Sequence, residues 1–314
     1  MNLSGLQSME INRRTLLKQG LMLLGSHAAT TLSFGALAAN RPFFERSDLA
    51  IGLQLYTVWE AVNQDLEGTL MKVASIGFRE IELVGLHGHP PSELRAAAQR
   101  AGLRIPSIHV GIKENSYVPG LSGDIPSLAD KVHAVGATFV ILPMPLLQIE
   151  EGKLLPMSLD DCKRTAAFLN EKGLALRREG LHLGYHNHNT EFVPIEDTTG
   201  YDVIVRETDP ELVTLEMDAG WVRAAGVEPV ELLERYPGRF KLMHIKDLRG
   251  STKTNHQLTM DSTDVGRGII DWQRLLPDAN AAGVQHYFVE QEKPFANGKF
   301  AAITNSFRFL SSMR

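Results

Sequence analysis

A single cysteine, Cys162, stands among 314 residues. No internal disulfide can form, and neither a thiolate zinc site nor an iron–sulfur cluster can be assembled from this chain alone. Excess positive charge is lacking too: 32 Lys and Arg against 37 Asp and Glu leave a formal charge of −5. That balance argues against a nucleic-acid partner, which is normally met by a basic face. After the first forty residues no run is apolar enough to cross a membrane. No GxGxxG follows the first strand pattern, where GLQLYT continues as VWEAV, so the dinucleotide-binding fingerprint of a doubly wound sheet is missing. There is no linker rich in Pro, Gly or Ser and no low-complexity tract, and one domain from about residue 48 to 314 is expected.

Residues 1–39 read differently. INRRTLLK sets Arg13 beside Arg14, ahead of LMLLGSHAATTLSFGALAA, which contains no Asp, Glu, Lys or Arg and includes Ala36-Leu37-Ala38, an A-x-A cleavage pattern. The arginine pair followed by Thr-Leu-Leu-Lys resembles a twin-arginine signal. His27 and the Gly and Ser residues make the stretch a poor membrane span. The expectation is therefore export by the twin-arginine machinery, cleavage near Ala39 or Asn40, a periplasmic or otherwise exported product, and no stable membrane insertion. An amphipathic N-terminal helix or an uncleaved anchor is the alternative.

From residue 50 onward, short apolar runs alternate with helical patterns. Eight strands are predicted: 51–56, 80–85, 105–110, 138–143, 181–186, 213–218, 240–245 and 286–291. Helices are predicted over 65–77, over 92–102 with Ser92 as N-cap, over 158–180 with Ser158 as N-cap, and over 229–238 and 271–283. Several strands directly follow a helix-ending glycine, as at Gly77-Phe78 and Gly180-Leu181. Eight strand–helix units in some 250 residues match the arithmetic of a (β/α)8 barrel, with an open doubly wound sheet as runner-up.

Barrel chemistry sits at the C-terminal ends of the strands. YHNHN puts His186 and His188 two residues apart, on one face of an extended segment. Strand six ends in Asp218, strand seven in His244 and Lys246, and strand eight in Glu290. Buried charges are costly unless paired or metal-bound. Four consecutive strand ends carrying His or carboxylate therefore point to a metal. His186, Asp218, His244 and Glu290 make a mixed nitrogen–oxygen set suited to one Mn, Co, Zn or Fe, and poorly suited to Ca or Mg. Glu82, His109 and Gln54 are candidates for holding substrate hydroxyls, and Trp221 for stacking on a sugar ring. His87 and His89, in GLHGHPP, read as a solvated loop, with a place lining the mouth as the alternative. Lys246 and Asp247 are also placed to pair with each other or with neighbours.

GLQLYT, GFREIELVG, HNHNTEF, MDAGWVRAAG, RFKLMHIKDL, DVGRGIIDW and FVEQE occur in that order from residue 52 to 292. Together they resemble the sugar phosphate isomerase/epimerase proteins of the xylose-isomerase-like TIM-barrel superfamily, with HIKD and VGRGIIDW the most specific parts. The resemblance implies one divalent metal at the barrel mouth on ligands from strands five to eight, here His186, Asp218, His244 and Glu290. The strand-five ligand in ketose epimerases and related dehydratases is usually glutamate. His186 departs from that pattern, and Glu191 is the alternative ligand. Comparison with the dehydratases implies that His188 removes a proton beside a carbonyl and that Lys246 stabilises an oxyanion or protonates a leaving group.

The reaction class expected is proton abstraction α to a carbonyl, as isomerase, epimerase or lyase, with Glu290 joining His188 and Lys246 as a catalytic residue. The substrate expected is a free sugar, keto-sugar or glycoside, since phosphorylated sugars are mainly cytoplasmic. A non-catalytic exported carbohydrate-binding barrel is the main alternative. An endonuclease-like metal hydrolase is disfavoured by the charge and the ligand count.

Overall fold

The strands form where β-branched and aromatic residues cluster between turn residues, and they lie parallel because a helix returns the chain after each one. The computed structural model describes residues 41–150 and 153–314; the expected signal segment, 1–39, lies outside the described residues. The barrel strands are β1 (Ile51–Gln54), β2 (Glu80–Val84), β3 (Arg104–His109), β4 (Phe139–Leu142), β5 (His182–His186), β6 (Val213–Asp218), β7 (Phe240–Ile245) and β8 (His286–Val289). Each pairs in parallel with its neighbours, and β1 pairs with β8 to close the barrel. Closure removes every open sheet edge. The open-sheet alternative is thereby excluded.

The helices that follow the strands are α1 (Leu66–Ile76), α2 (Pro91–Ala101), α3 (Ile125–Val135), α4 (Leu159–Arg178), α5 (Gly200–Glu207), α6 (Pro229–Arg235), α7 (Trp272–Ala281) and α8 (Lys299–Ser312). Asp65 caps α1, Asp271 caps α7, and Ser158 forms a capping box with Asp161 on α4. Ser92 is no cap: Pro90 precedes a helix that Pro91 opens, and Ser92 lies inside its first turn. The compact unit begins at Phe43, ahead of the expected residue 48. There Phe44 packs edge-on against Tyr287 of β8, with ring centroids 5.7 Å apart, and the Phe43 N–H donates to the Met313 carbonyl. No helix among the described residues is long and apolar enough to cross a membrane.

Most of the core lies between barrel and helices, but a second cluster fills the barrel itself: Phe139, Ile141, Leu242 and Phe288. Gly52 makes room for this plug, since a Cβ there would sit 2.5 Å from the Phe288 ring. Burying one such ring contributes about 2 kcal/mol. The plug also seals the interior from below, so the polar layer above it opens only toward the C-terminal mouth.

Candidate functional site

Side chains on one strand face the same way at every second residue. On β6, Glu216 and Asp218 therefore both point inward. The β6–β7 register shifts between Leu215 and Glu216, which sets Asp218 opposite His244. β2 contributes Glu82, β3 His109, β5 His186 and β7 His244, and all of these side chains are buried.

They form one connected network. Glu82 Oε2 accepts from Gln54 Nε2 at 2.7 Å, from His244 Nε2 at 2.6 Å, and lies 3.1 Å from His109 Nε2. Glu216 Oε2 accepts from His109 Nε2 at 2.9 Å and His186 Nδ1 at 3.0 Å, with His244 Nε2 at 3.4 Å. On its other side, His244 Nδ1 donates to Glu290 Oε2 at 2.8 Å. Asp218 divides its carboxylate. Oδ1 accepts the Trp221 N–H and so caps the short helix Ala219–Ala224, while Oδ2 lies 3.8 Å from both His186 Nε2 and His244 Nδ1.

Lys246 completes the network. Its Nζ lies 2.9 Å from carboxylate oxygens of Asp218, Glu290 and Glu292, and the side chain is 1% exposed. Here the ammonium contacts three carboxylates, and only Glu290 and Glu292 of this group reach the cavity wall. Of the alternative reading, that Lys246 and Asp247 pair with each other or with neighbours, the second half is what forms. Asp247 turns the other way, to the 266–272 segment.

The electrostatics separate the histidines. Burial alone would lower His109 and His244, but Glu82 and Glu216 outweigh it, raising His109 to about 9 and His244 well above its usual range. His186 is held well below its usual value by burial and then by His244. His188 is pushed down to about 3 by burial and then by the Lys246 charge. The carboxylates thus favour the protonated form of His109 and His244, where a cation would compete with the proton, while burial favours the neutral form of His186 and His188.

Donor chemistry fits a divalent cation. The donor atoms of His109, His186, Glu216 and His244 all lie within 4.8 Å of one another, as do those of Asp218, His244 and Glu290. Glu82 Oε1 and Glu216 Oε1 are buried without a hydrogen-bond partner, leaving lone pairs free in the same layer. The expected quartet of His186, Asp218, His244 and Glu290 straddles these two overlapping groups, which share His244. Glu216 escaped the sequence reading, although its place two residues before Asp218 was the signal for it.

Glu191 belongs to neither group. Its carboxylate accepts from Tyr185 Oη and the His188 N–H at 2.9 Å each, and from Thr190 Oγ1, so it shapes the turn that carries His188. His188 follows β5 with its ring 5.1 Å from that of His186 and 5.5 Å from that of Trp221, and its Nδ1 has no partner. Above the network lies a cavity of about 360 Å³ whose wall includes Gln54, His109, His186, His188, Trp221 and Glu290. Glu82 lies below it. His87, expected in solvent, is buried: its ring stacks on Trp59 at 4.3 Å and its Nδ1 meets Asn63 Oδ1.

The comparisons agree with this architecture. The inosose dehydratase of Geobacillus kaustophilus is 27% identical over 207 residues, covering 60% of this chain and 67% of that protein. An inosose dehydratase of Bacillus anthracis is 26% identical over 138 residues, and there the chain spans only 43% of the relative's length. A crystal structure of a sugar phosphate isomerase/epimerase from Parabacteroides distasonis superposes with a TM-score of 0.68 at 24% identity, over 84% of this chain and 96% of that one. The zinc-bound IOLI protein shares the fold at 16% identity with a TM-score of 0.63, over 84% and 98% of the two chains. The sequence pattern of one family runs from residue 70 to 310, from α1 into α8, and on that match the chain belongs to the xylose isomerase-like TIM barrel family.

Proposed function

We propose that this protein is a divalent-metal-dependent enzyme acting on a neutral, polyhydroxylated carbonyl compound, as a lyase of the dehydratase kind or an isomerase/epimerase. The observation that carries the reading is the convergence of His and carboxylate side chains from six strands beneath one small cavity with an aromatic wall. The name of the dehydratase relatives and the zinc atom of the IOLI protein support it. His186, Asp218, His244 and Glu290 would hold the cation, with His109 and Glu216 completing the donor layer around His244. A bound divalent cation supplies Lewis-acid polarisation of a carbonyl oxygen and charge stabilisation of an enolate.

The chain's own residues do the rest. His188 brings an imidazole to the cavity wall as the candidate base that takes a proton from carbon; its Nδ1 is buried and has no hydrogen-bond partner. Its low basicity restricts it to a proton already acidified by a polarised carbonyl. Lys246 is a positioning residue that favours the ionised form of Glu290 and pairs with Glu292 at the wall. Those carboxylates, with no Lys or Arg among the residues lining the cavity, repel a phosphate and favour a neutral sugar.

Metal analysis of protein purified without chelator tests the reading. About one Mn, Co, Zn or Fe per chain is expected, lost in His186→Ala and Asp218→Ala and kept in Glu191→Gln. Loss in Glu191→Gln alone would return the strand-five ligand to that residue. No metal even after adding Mn or Co, with sugar binding intact, would leave a carbohydrate-binding barrel. The segment around Arg13-Arg14 supports export as a further part of the proposal. Cell fractionation should find the unaltered chain shortened and outside the cytoplasm, and the double Arg→Lys variant inside it; equal distribution of the two would refute twin-arginine export.

A further inference from the structure

A second cavity, of about 520 Å³, abuts the first and has no role in the chemistry described so far. The two share Tyr56, Val84 and Glu292 as a common wall. Beyond that wall the second cavity is lined by Trp59 and Phe295, with Glu60, Gln291, Lys293 and Lys299 on its polar side. Tyr56 is 50% exposed, so its side chain is open to a ligand. The Trp59 ring is fixed from behind by His87, itself anchored to Asn63. Lys299 pairs with Glu60 and lies 5.7 Å from the centre of the Phe295 ring. Rigid aromatic faces with hydrogen-bonding groups at the edge match a pyranose, whose C–H face is apolar and whose rim carries hydroxyls. The formal charges of the groove balance, Glu60 and Glu292 against Lys293 and Lys299, which suits a neutral ligand.

We propose that this groove is a second ring-binding subsite, so that the substrate is a two-ring glycoside: one sugar ring lies in the catalytic cavity and the attached ring lies against Tyr56, Trp59 and Phe295. The proposal rests on the sugar-directed reading of the first cavity, and continuity of the two cavities across Tyr56 and Glu292 supplies the link. The groove sets specificity, favouring compounds that extend across Glu292 over single sugars. Neither Trp59 nor Phe295 touches the His and carboxylate network.

Calorimetric titration of the full-length, metal-supplemented protein with glucose, cellobiose, maltose and trehalose tests the subsite without requiring turnover. At least one disaccharide should bind about tenfold or more tightly than glucose. Trp59→Ala and, independently, Phe295→Ala should erase that preference while leaving glucose binding unchanged. Phe295 sits on a partly exposed loop, so its variant serves if loss of the Trp59–His87 stack impairs folding. Disaccharides binding no better than glucose, or a preference that survives both substitutions, would overturn the proposal. A preference that behaves as expected in a protein with no turnover on any keto derivative would sink the catalytic reading and spare the subsite.

Discussion

A His244→Ala variant should lose its bound metal and lower kcat/KM by about 10³-fold or more on any substrate the enzyme accepts. His244 is the one side chain common to both candidate ligand groups, with Glu82 and Glu216 against one ring nitrogen and Glu290 and Asp218 against the other. No neighbouring group can substitute from both directions. Electrostatic stabilisation by a catalytic cation is worth several kcal/mol, and about 4 kcal/mol corresponds to about 10³ in rate. The metal-free protein should suffer as well. Removing the ring strands buried carboxylates that it now pairs, and breaking a buried pair from one side costs about 3–5 kcal/mol. Metal analysis, steady-state kinetics and thermal unfolding of one preparation separate the two effects. Near-normal metal content with near-normal turnover would refute the assignment of His244 to the centre.

Much of this site was legible because barrel chemistry concentrates at strand ends. His186, Asp218, His244 and Glu290 each lie at or just beyond the last residue of an apolar run, where a carboxylate or imidazole has no packing explanation. Glu216 was missed because the reading stopped at the last residue of VTLEMD. Alternation alone puts Glu216 on the same face as Asp218, one layer deeper. That Lys246 would pair with neighbours was legible, but not which ones, because Glu292 lies beyond the end of β8 and only the closed barrel brings it within 2.9 Å. Among the helices, Gly200–Glu207 has too few residues to display a period, and Ile125–Val135 and Lys299–Ser312 likewise lie outside the helices the sequence predicts. Their places were implied all the same, since a closed parallel barrel needs a return segment after every strand. His87 looked like a loop residue because nothing local showed that Trp59, almost thirty residues earlier, would cover it.

The two most specific motifs, HIKD and VGRGIIDW, turn out to be halves of one device, and Asp247→Ala should therefore be among the most destabilising single substitutions in the chain. The Asp247 carboxylate is buried and accepts from the Leu248, Gly266, Gly268 and Ile270 N–H groups and from Trp272 Nε1. The loop passes so close that a Cβ on Gly268 would lie 2.0 Å from Asp247 Oδ1, which explains the glycine there. Charge-assisted hydrogen bonds of this kind contribute about 1.5–3 kcal/mol each, and buried donors left without a partner cost about 1–3 kcal/mol. These effects are not additive, but a loss of about 4 kcal/mol is a conservative total. For a barrel of this size it lowers Tm by roughly 7 °C. Asp247→Asn should fall between the two proteins, keeping one acceptor oxygen while losing the charge and the second acceptor. Asp247 lies next to Lys246, whose ammonium holds Asp218 and Glu290, so the loosened loop should also weaken metal retention without removing a ligand. Thermal unfolding with and without added metal measures both consequences. An Asp247→Ala protein with unchanged Tm and unchanged metal affinity would show that the loop is held by its packing alone, and that this carboxylate carries none of the load.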